Sequence, residues 1–123
     1  MSASRHYDTV AFDVRDNVTM LFFARTNAAQ DIEDYLLLMR KIGEDFDDTI
    51  VLEINERQYP GNKLIREARM SENMLTLSFI EPVAEFEGET EVVLAFDDSR
   101  ENRSSMEAGA FRVLGERLAG GNA

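Results

Sequence analysis

Residues 49–77, TIVLEINERQYPGNKLIREARMSENMLTL, decide the fold. They read as three short strands around two polar turns. Residues 49–54 are β-branched and aliphatic except for Glu53, which strand alternation sets on the face opposite Leu52 and Ile54. Asn55-Glu56 ends that run. In Tyr59-Pro60-Gly61-Asn62 the proline presets φ and the glycine offers a positive φ, so a tight turn is expected there. Residues 64–70 and 74–80 follow as strands joined at Ser71-Glu72-Asn73, with Asn73 suited to the left-handed conformation of short hairpins. Strand, turn, strand, turn, strand in immediate succession implies antiparallel pairing.

The flanks extend this pattern. Val10-Ala11-Phe12-Asp13-Val14 alternates, Arg15-Asp16-Asn17 has turn chemistry, and residues 18–24 are again strand formers, which gives a hairpin. Residues 31–42 support two readings. Ile32, Tyr35, Leu36, Met39 and Ile42 fit a helical stripe, whereas the run Tyr35-Leu36-Leu37-Leu38-Met39 has the length of a strand apolar on both faces. Residues 43–48 form an acidic loop around Phe46, Glu81-Pro82 stops a strand, residues 85–90 turn around Gly88, and residues 91–96 make a further strand. The period then changes. Met106, Ala110, Val113, Leu114 and Leu118, with Phe111 beside them, recur at helical spacing. Asp98 or Ser104 could cap this helix, each with a glutamate three residues on, and Gly120-Gly121 would end it. Gly115, inside it, marks close packing.

The expected architecture is α+β: a mainly antiparallel β-sheet with a C-terminal α-helix packed on it. The 123 residues suit one domain, with 1–6 a flexible lead, 7–97 mainly β and 98–119 the helix. The first residues lack a signal-peptide core and no run approaches a membrane span, so the reading is cytoplasmic, with no membrane contact.

Charge narrows the partners. Against 13 Lys+Arg stand 24 Asp+Glu, a formal net charge of −11. Residues 31–56 hold nine acids and two bases, residues 81–101 eight acids and one base, and residues 57–80 four bases and two acids. Direct binding to nucleic acid is disfavoured, because phosphate contacts need a basic surface. An acidic surface instead suits solubility, or the capture of a basic partner.

Catalytic constellations are missing from the sequence. Cysteine is absent, which excludes a disulfide framework and thiolate chemistry. The one histidine, His6, lies in the polar lead. No Gly-rich phosphate loop occurs, and Asp45, Asp47 and Asp48 lack the spacing of a calcium loop. Neither cofactor nor metal is expected, and the protein reads as a non-enzyme. Glu53 suggests either loop orientation through hydrogen bonds or contact with a partner's cation. Phe46 and Tyr59, aromatics among polar residues, are candidate interface anchors.

Taken together, residues 35–77 resemble the immunity protein 10 family, small proteins encoded beside bacterial polymorphic toxins. The features that carry the likeness are the tyrosine-led segment Tyr35-Leu36-Leu37-Leu38-Met39-Arg40 and the acidic stretch 44–48. Glu53 within a strand, Asn55, Glu56, Gly61, Ile65, Asn73, Leu75 and Leu77 follow in the family's order. The chain departs where Arg57 precedes Gln58, and where Asn62-Lys63-Leu64 lacks the family's tyrosine and glycines. The resemblance implies a strand over 31–42 and a non-catalytic inhibitor that binds and neutralises a cognate bacterial protein toxin; a basic nuclease is one candidate. The acids of 44–48 and 85–91 would steer association, and the implied partner-binding residues are Glu44, Asp45, Phe46, Asp47, Asp48, Glu53, Asn55, Tyr59 and Gly61. The alternative is a small structural or regulatory α+β domain acting by self-association; a homodimer fits either reading.

Overall fold

Period-two alternation of apolar residues recurs through most of the chain and builds its strands, of which there are ten among the described residues, beside two α-helices and two short 3₁₀ turns. A computed structural model describes residues 3–43 and 46–119. The strands are β1 (Ala3–Tyr7), β2 (Thr9–Arg15), β3 (Val18–Thr26), β4 (Ile32–Gly43), β5 (Phe46–Ile54), β6 (Arg57–Pro60), β7 (Ile65–Ser71), β8 (Met74–Val83), β9 (Glu89–Phe96) and β10 (Leu118–Ala119). A single helical turn, α1 (Gly61–Leu64), joins β6 to β7, and α2 (Arg100–Leu114) follows β9. The protein is thus α+β, mostly antiparallel sheet with the C-terminal helix packed on it. No helix among the described residues is long and apolar enough to cross a membrane.

The strands form two five-stranded sheets. The first has the order β1-β9-β8-β7-β10, with β1 and β10 added parallel at its edges. The second is the meander β2-β3-β4-β5-β6, antiparallel throughout. The sheets face each other across one core. Tyr7, Leu75, Leu77, Val92, Leu94 and Phe96 come from the first; Leu21, Phe23, Leu36, Leu38, Ile50 and Leu52 come from the second, all fully buried. The rings of Tyr7 and Phe23 meet at 5.8 Å between centroids. Helix α2 lies on the inner face of the second sheet, so close that a Cβ on Gly109 would sit 2.6 Å from Leu21 Cδ1. Asn102 ties the helix to the sheet edge: its Oδ1 accepts from Val10 N (2.9 Å), and its Nδ2 donates to the carbonyls of Asp8 (3.0 Å) and Asp97 (2.9 Å).

Of the stretch 31–42, all but Asp31 is strand, within β4. Leu36 and Leu38 point into the core while Tyr35, Leu37 and Met39 alternate to the other face, so two apolar faces of one strand imitate a helical stripe.

Several sequence expectations are corrected. The expected flexible lead contains β1, held by five parallel pairs with β9, and His6 Nε2 there lies 2.6 Å from Asp97 Oδ1. The expected loop over 43–48 is strand from Phe46 onward. Gly61 has no positive φ; it begins α1, and glycine is needed there because a Cβ would lie 2.7 Å from Ile50 Cγ2 and 2.9 Å from its carbonyl oxygen. Asn73 also keeps a negative φ. Strand β8 runs through Pro82 to Val83, since the proline falls in a register break where no ladder bond is asked of it. The helix is shorter than 98–119. Ser99 is its cap, accepting from Asn102 N (3.1 Å), in place of Asp98 or Ser104. Gly115, at φ 51°, ends the helix, whereas Gly120 and Gly121 lie outside the described residues.

Candidate functional site

An antiparallel sheet packed on one side ordinarily turns a polar face to water. The first sheet does so. Its outer rows read Glu67–Ser78–Glu91, Arg69–Thr76–Val93–Ser4 and Ser71–Met74–Ala95–His6. The second sheet does not. Apart from the polar end row Arg15–Val18–Lys41–Thr49, its outer rows read Asp13–Met20–Met39–Val51 and Ala11–Phe22–Leu37–Glu53–Gln58, followed by Thr9–Ala24–Tyr35. Met20, Phe22, Leu37, Met39 and Val51 therefore form a contiguous, half-exposed apolar surface with no covering element among the described residues.

A hydrogen-bonded network borders this surface. The Tyr35 hydroxyl donates to Glu53 Oε2 at 2.5 Å and accepts from Glu56 N at 2.9 Å. The second Glu53 oxygen accepts from Gln58 Nε2 at 2.8 Å. Asn55 clamps the Tyr35 peptide from both sides: its Oδ1 accepts from Tyr35 N (2.8 Å) and its own N donates to Tyr35 O (3.3 Å). Its Nδ2 reaches Asp34 Oδ1 at 2.6 Å. The Tyr35 bond first, then the Gln58 bond, holds the Glu53 carboxyl below the usual carboxylate range. The same Glu53 bond is the main cause that raises the Tyr35 phenol.

The network fixes an unusual turn. Ile54 pairs with Arg57, leaving Asn55 and Glu56 as a two-residue hairpin loop with φ of 46° and 76°. Positive φ at both positions is the type I′ pattern, whose second position favours glycine. Glutamate there is strained, and the bond from its N–H to Tyr35 helps to hold it. Beside the turn, a cavity of about 410 Å³ is lined by Phe22, Ile32, Glu33, Tyr35, Asn55 and Glu56. Phe22 and Tyr35 sit 5.6 Å apart at 34°, and Ile32 is 53% exposed.

Of the residues singled out from sequence, Glu53 and Asn55 belong to this network. Tyr59 sits on the inner face instead: half-buried against the core, it donates its hydroxyl to the Glu85 carboxylate and lies 5.4 Å beneath the Arg57 guanidinium. Burial first, then Glu85, raises its phenol. Gly61 is buried and packs against Ile50. Glu44 and Asp45, and the side chains of Phe46, Asp47 and Asp48, lie outside the described residues. Within 85–91 the acids are partly engaged internally, Glu85 by Tyr59, Glu87 by Arg5 at 2.6 Å and Glu91 by Arg69 at 3.5 Å.

The sequence does not single out Phe22, Ile32, Glu33 or Gln58 as site residues, and Tyr35 and Glu56 enter only as strand or turn positions and through the family likeness. The available signal was apolar residues at both parities of residues 18–24 and 35–39, which marks a sheet with a second apolar face. Compared with models of known protein families, with curated proteins and with solved structures, the chain has no match.

Proposed function

We propose that the protein is a bacterial immunity protein, which neutralises a basic cognate toxin by binding it, without catalysis, on the open face of the second sheet. One observation carries this reading. Tyr35, Glu53, Asn55 and Glu56, four of the residues that carry the resemblance, come from two separated segments and converge in one network on the rim of the uncovered apolar face. Apolar area supplies binding energy at about 25 cal/mol per Å² removed from water. The surrounding carboxylates favour a cationic partner and speed its encounter.

The toxin encoded beside the gene is the partner to test. Co-expression should relieve its toxicity, and association of the purified proteins should slow at least tenfold between 50 mM and 500 mM salt. Failure to bind that toxin would overturn the reading, and a salt-independent on-rate would remove its electrostatic component. A self-associating structural domain, the competing reading, predicts a concentration-dependent dimer by light scattering and no protection.

A further inference from the structure

The open face ends at the Phe22–Tyr35 cavity, and the chemistry of that cavity suits one kind of side chain. Two aromatic rings supply electron-rich surface, and Tyr35 is made richer by hydrogen bonding to the Glu53 carboxylate. Glu33 and Glu56 stand at its wall. Glu33 is shared with Arg25 at 3.7 Å, and Glu56 makes no ion pair among the described residues.

Elsewhere the chain completes the same arrangement twice. Arg57 lies over Tyr59 at 5.4 Å, with Glu85 3.6 Å from its Nε. Arg5 lies over Phe86 at 5.5 Å, with Glu87 2.6 Å from its Nη2. Each is a guanidinium stacked on a ring and held by a carboxylate. The cavity at Phe22 and Tyr35 has the rings and the carboxylates, but no cation over either ring among the described residues. A flat guanidinium can stack and fork toward two acids, which a lysine ammonium cannot do as well. A cavity of about 410 Å³ falls in the ordinary range for ligand sites.

We propose that this cavity receives an arginine side chain of the partner protein, stacked on Phe22 and Tyr35 and bound by Glu33 and Glu56, while apolar residues flanking that arginine cover Met20, Leu37, Met39 and Val51. The inference rests on the proposed toxin-binding reading for its partner, although the cavity can be tested without a toxin. Charge complementarity selects this occupant over a second copy: the acids Glu33, Asp34, Glu53 and Glu56 outnumber Arg25, which lies 3.7 Å from both Glu33 and Asp34, in a chain of net charge −11, so an identical face would bring like charges together.

The test uses the free, isotope-labelled protein and N-acetyl-arginine methylamide as probe, read by NMR. Saturable millimolar shifts are expected at the Phe22 and Tyr35 rings and at the Asn55 and Glu56 amides. N-acetyl-norleucine methylamide should give none. E33Q/E56Q, which removes two exposed charges and leaves the Glu56 N–H bond in place, should weaken the arginine probe at least fivefold. F22S should do the same, with its circular dichroism and urea midpoint checking that it folds. The same variants are then assayed against the neighbouring-gene toxin, with at least tenfold weaker binding expected. No localised shift, equal response to both probes, or unchanged toxin affinity in E33Q/E56Q would overturn the inference while leaving the proposed function standing. Arginine binding at the cavity in a protein that protects against no toxin would overturn the function and leave the site. A dimer dispersed by E33Q/E56Q would make a second copy the occupant and overturn the inference.

Discussion

Replacing Tyr35 with phenylalanine deletes one oxygen atom and, with it, two hydrogen bonds that tie β4 to β5 and to the turn after it. The bond to Glu53 is charge-assisted, a class worth about 1.5–3 kcal/mol, and the bond from Glu56 N is neutral, worth about 0.5–1.5 kcal/mol. Both groups are partly exposed, so water takes over some of what is lost. The expected net cost is about 1–2.5 kcal/mol at neutral pH, or a urea midpoint lowered by roughly 0.5–1.5 M. Part of the effect is electrostatic and has a defined sign with pH. Glu53 is depressed in the folded state, so its contribution is complete above the unfolded carboxylate pKa and is lost as pH falls through the folded value. Tyr35 is raised, so its contribution is complete below the unfolded phenol pKa and is lost as pH rises through the folded value. The Y35F penalty should therefore be flat near neutrality and shrink in acid. Urea titrations of wild type, Y35F, E53Q and the double variant, at neutral pH and in the acid window, measure this directly. A coupling of at least about 0.5 kcal/mol between the two sites is expected at neutral pH. Strict additivity, or a Y35F penalty that grows in acid, would refute the account of the network.

Three further outcomes follow from other positions. E56G should raise stability by up to about 1 kcal/mol, because relief of the left-handed strain outweighs the extra unfolded-state entropy of glycine, and it should weaken the arginine probe; chemical denaturation and NMR titration read both. G109A should destabilise by about 1–3 kcal/mol despite alanine's better helix propensity, since its Cβ meets Leu21 and Phe12; a higher thermal midpoint would contradict this. N102A strands Val10 N and the Asp8 and Asp97 carbonyls at the helix–sheet junction, and should cost about 2–4 kcal/mol by urea titration, with faster amide exchange at Val10.

The fold was largely legible because alternation is a local signal. Residues 10–14, 18–24, 49–54, 64–70, 74–80 and 91–96 all correspond to strands, and Met106, Ala110, Val113 and Leu114 are the buried stripe of α2. The division into two sheets was not legible, since nothing in a strand's own sequence states which partner lies across the core. Residues 1–6 read as a polar lead for a similar reason: β1, which begins at Ala3, is a parallel edge strand, and its pairing with β9 is wholly non-local. The turn reading failed at 59–62 because the sequence shows that glycine is present but not why. Gly61 is required by the approach of Ile50, while the positive φ angles fall on Asn55 and Glu56, where a glutamate gave no warning. Glu53 was visible as an acid out of pattern. Its partner Tyr35, 18 residues earlier, became visible only when β4 and β5 were laid side by side.

The second sheet offers a partner few places to bind other than its outer face. Its two edges are poor templates for another strand. Strand β6 has only four residues, begins with the charged Arg57 and ends in Pro60. Strand β2 carries Asp13 and Arg15, paired at 2.9 Å, and its Val10 N–H is taken by Asn102. The inner face is closed by the first sheet and α2. What stays open is apolar in its middle rows and acidic at the end where a strained hairpin is pinned by Tyr35. A sheet whose only task was to fold would gain solubility from polar residues at Phe22, Leu37 and Met39, and stability from glycine at Glu56. Phe22 and Glu56, one from each departure, line the same cavity. Local stability given up beside an uncovered apolar surface accords with the binding role proposed for this face, which a face that only supports the fold would not need.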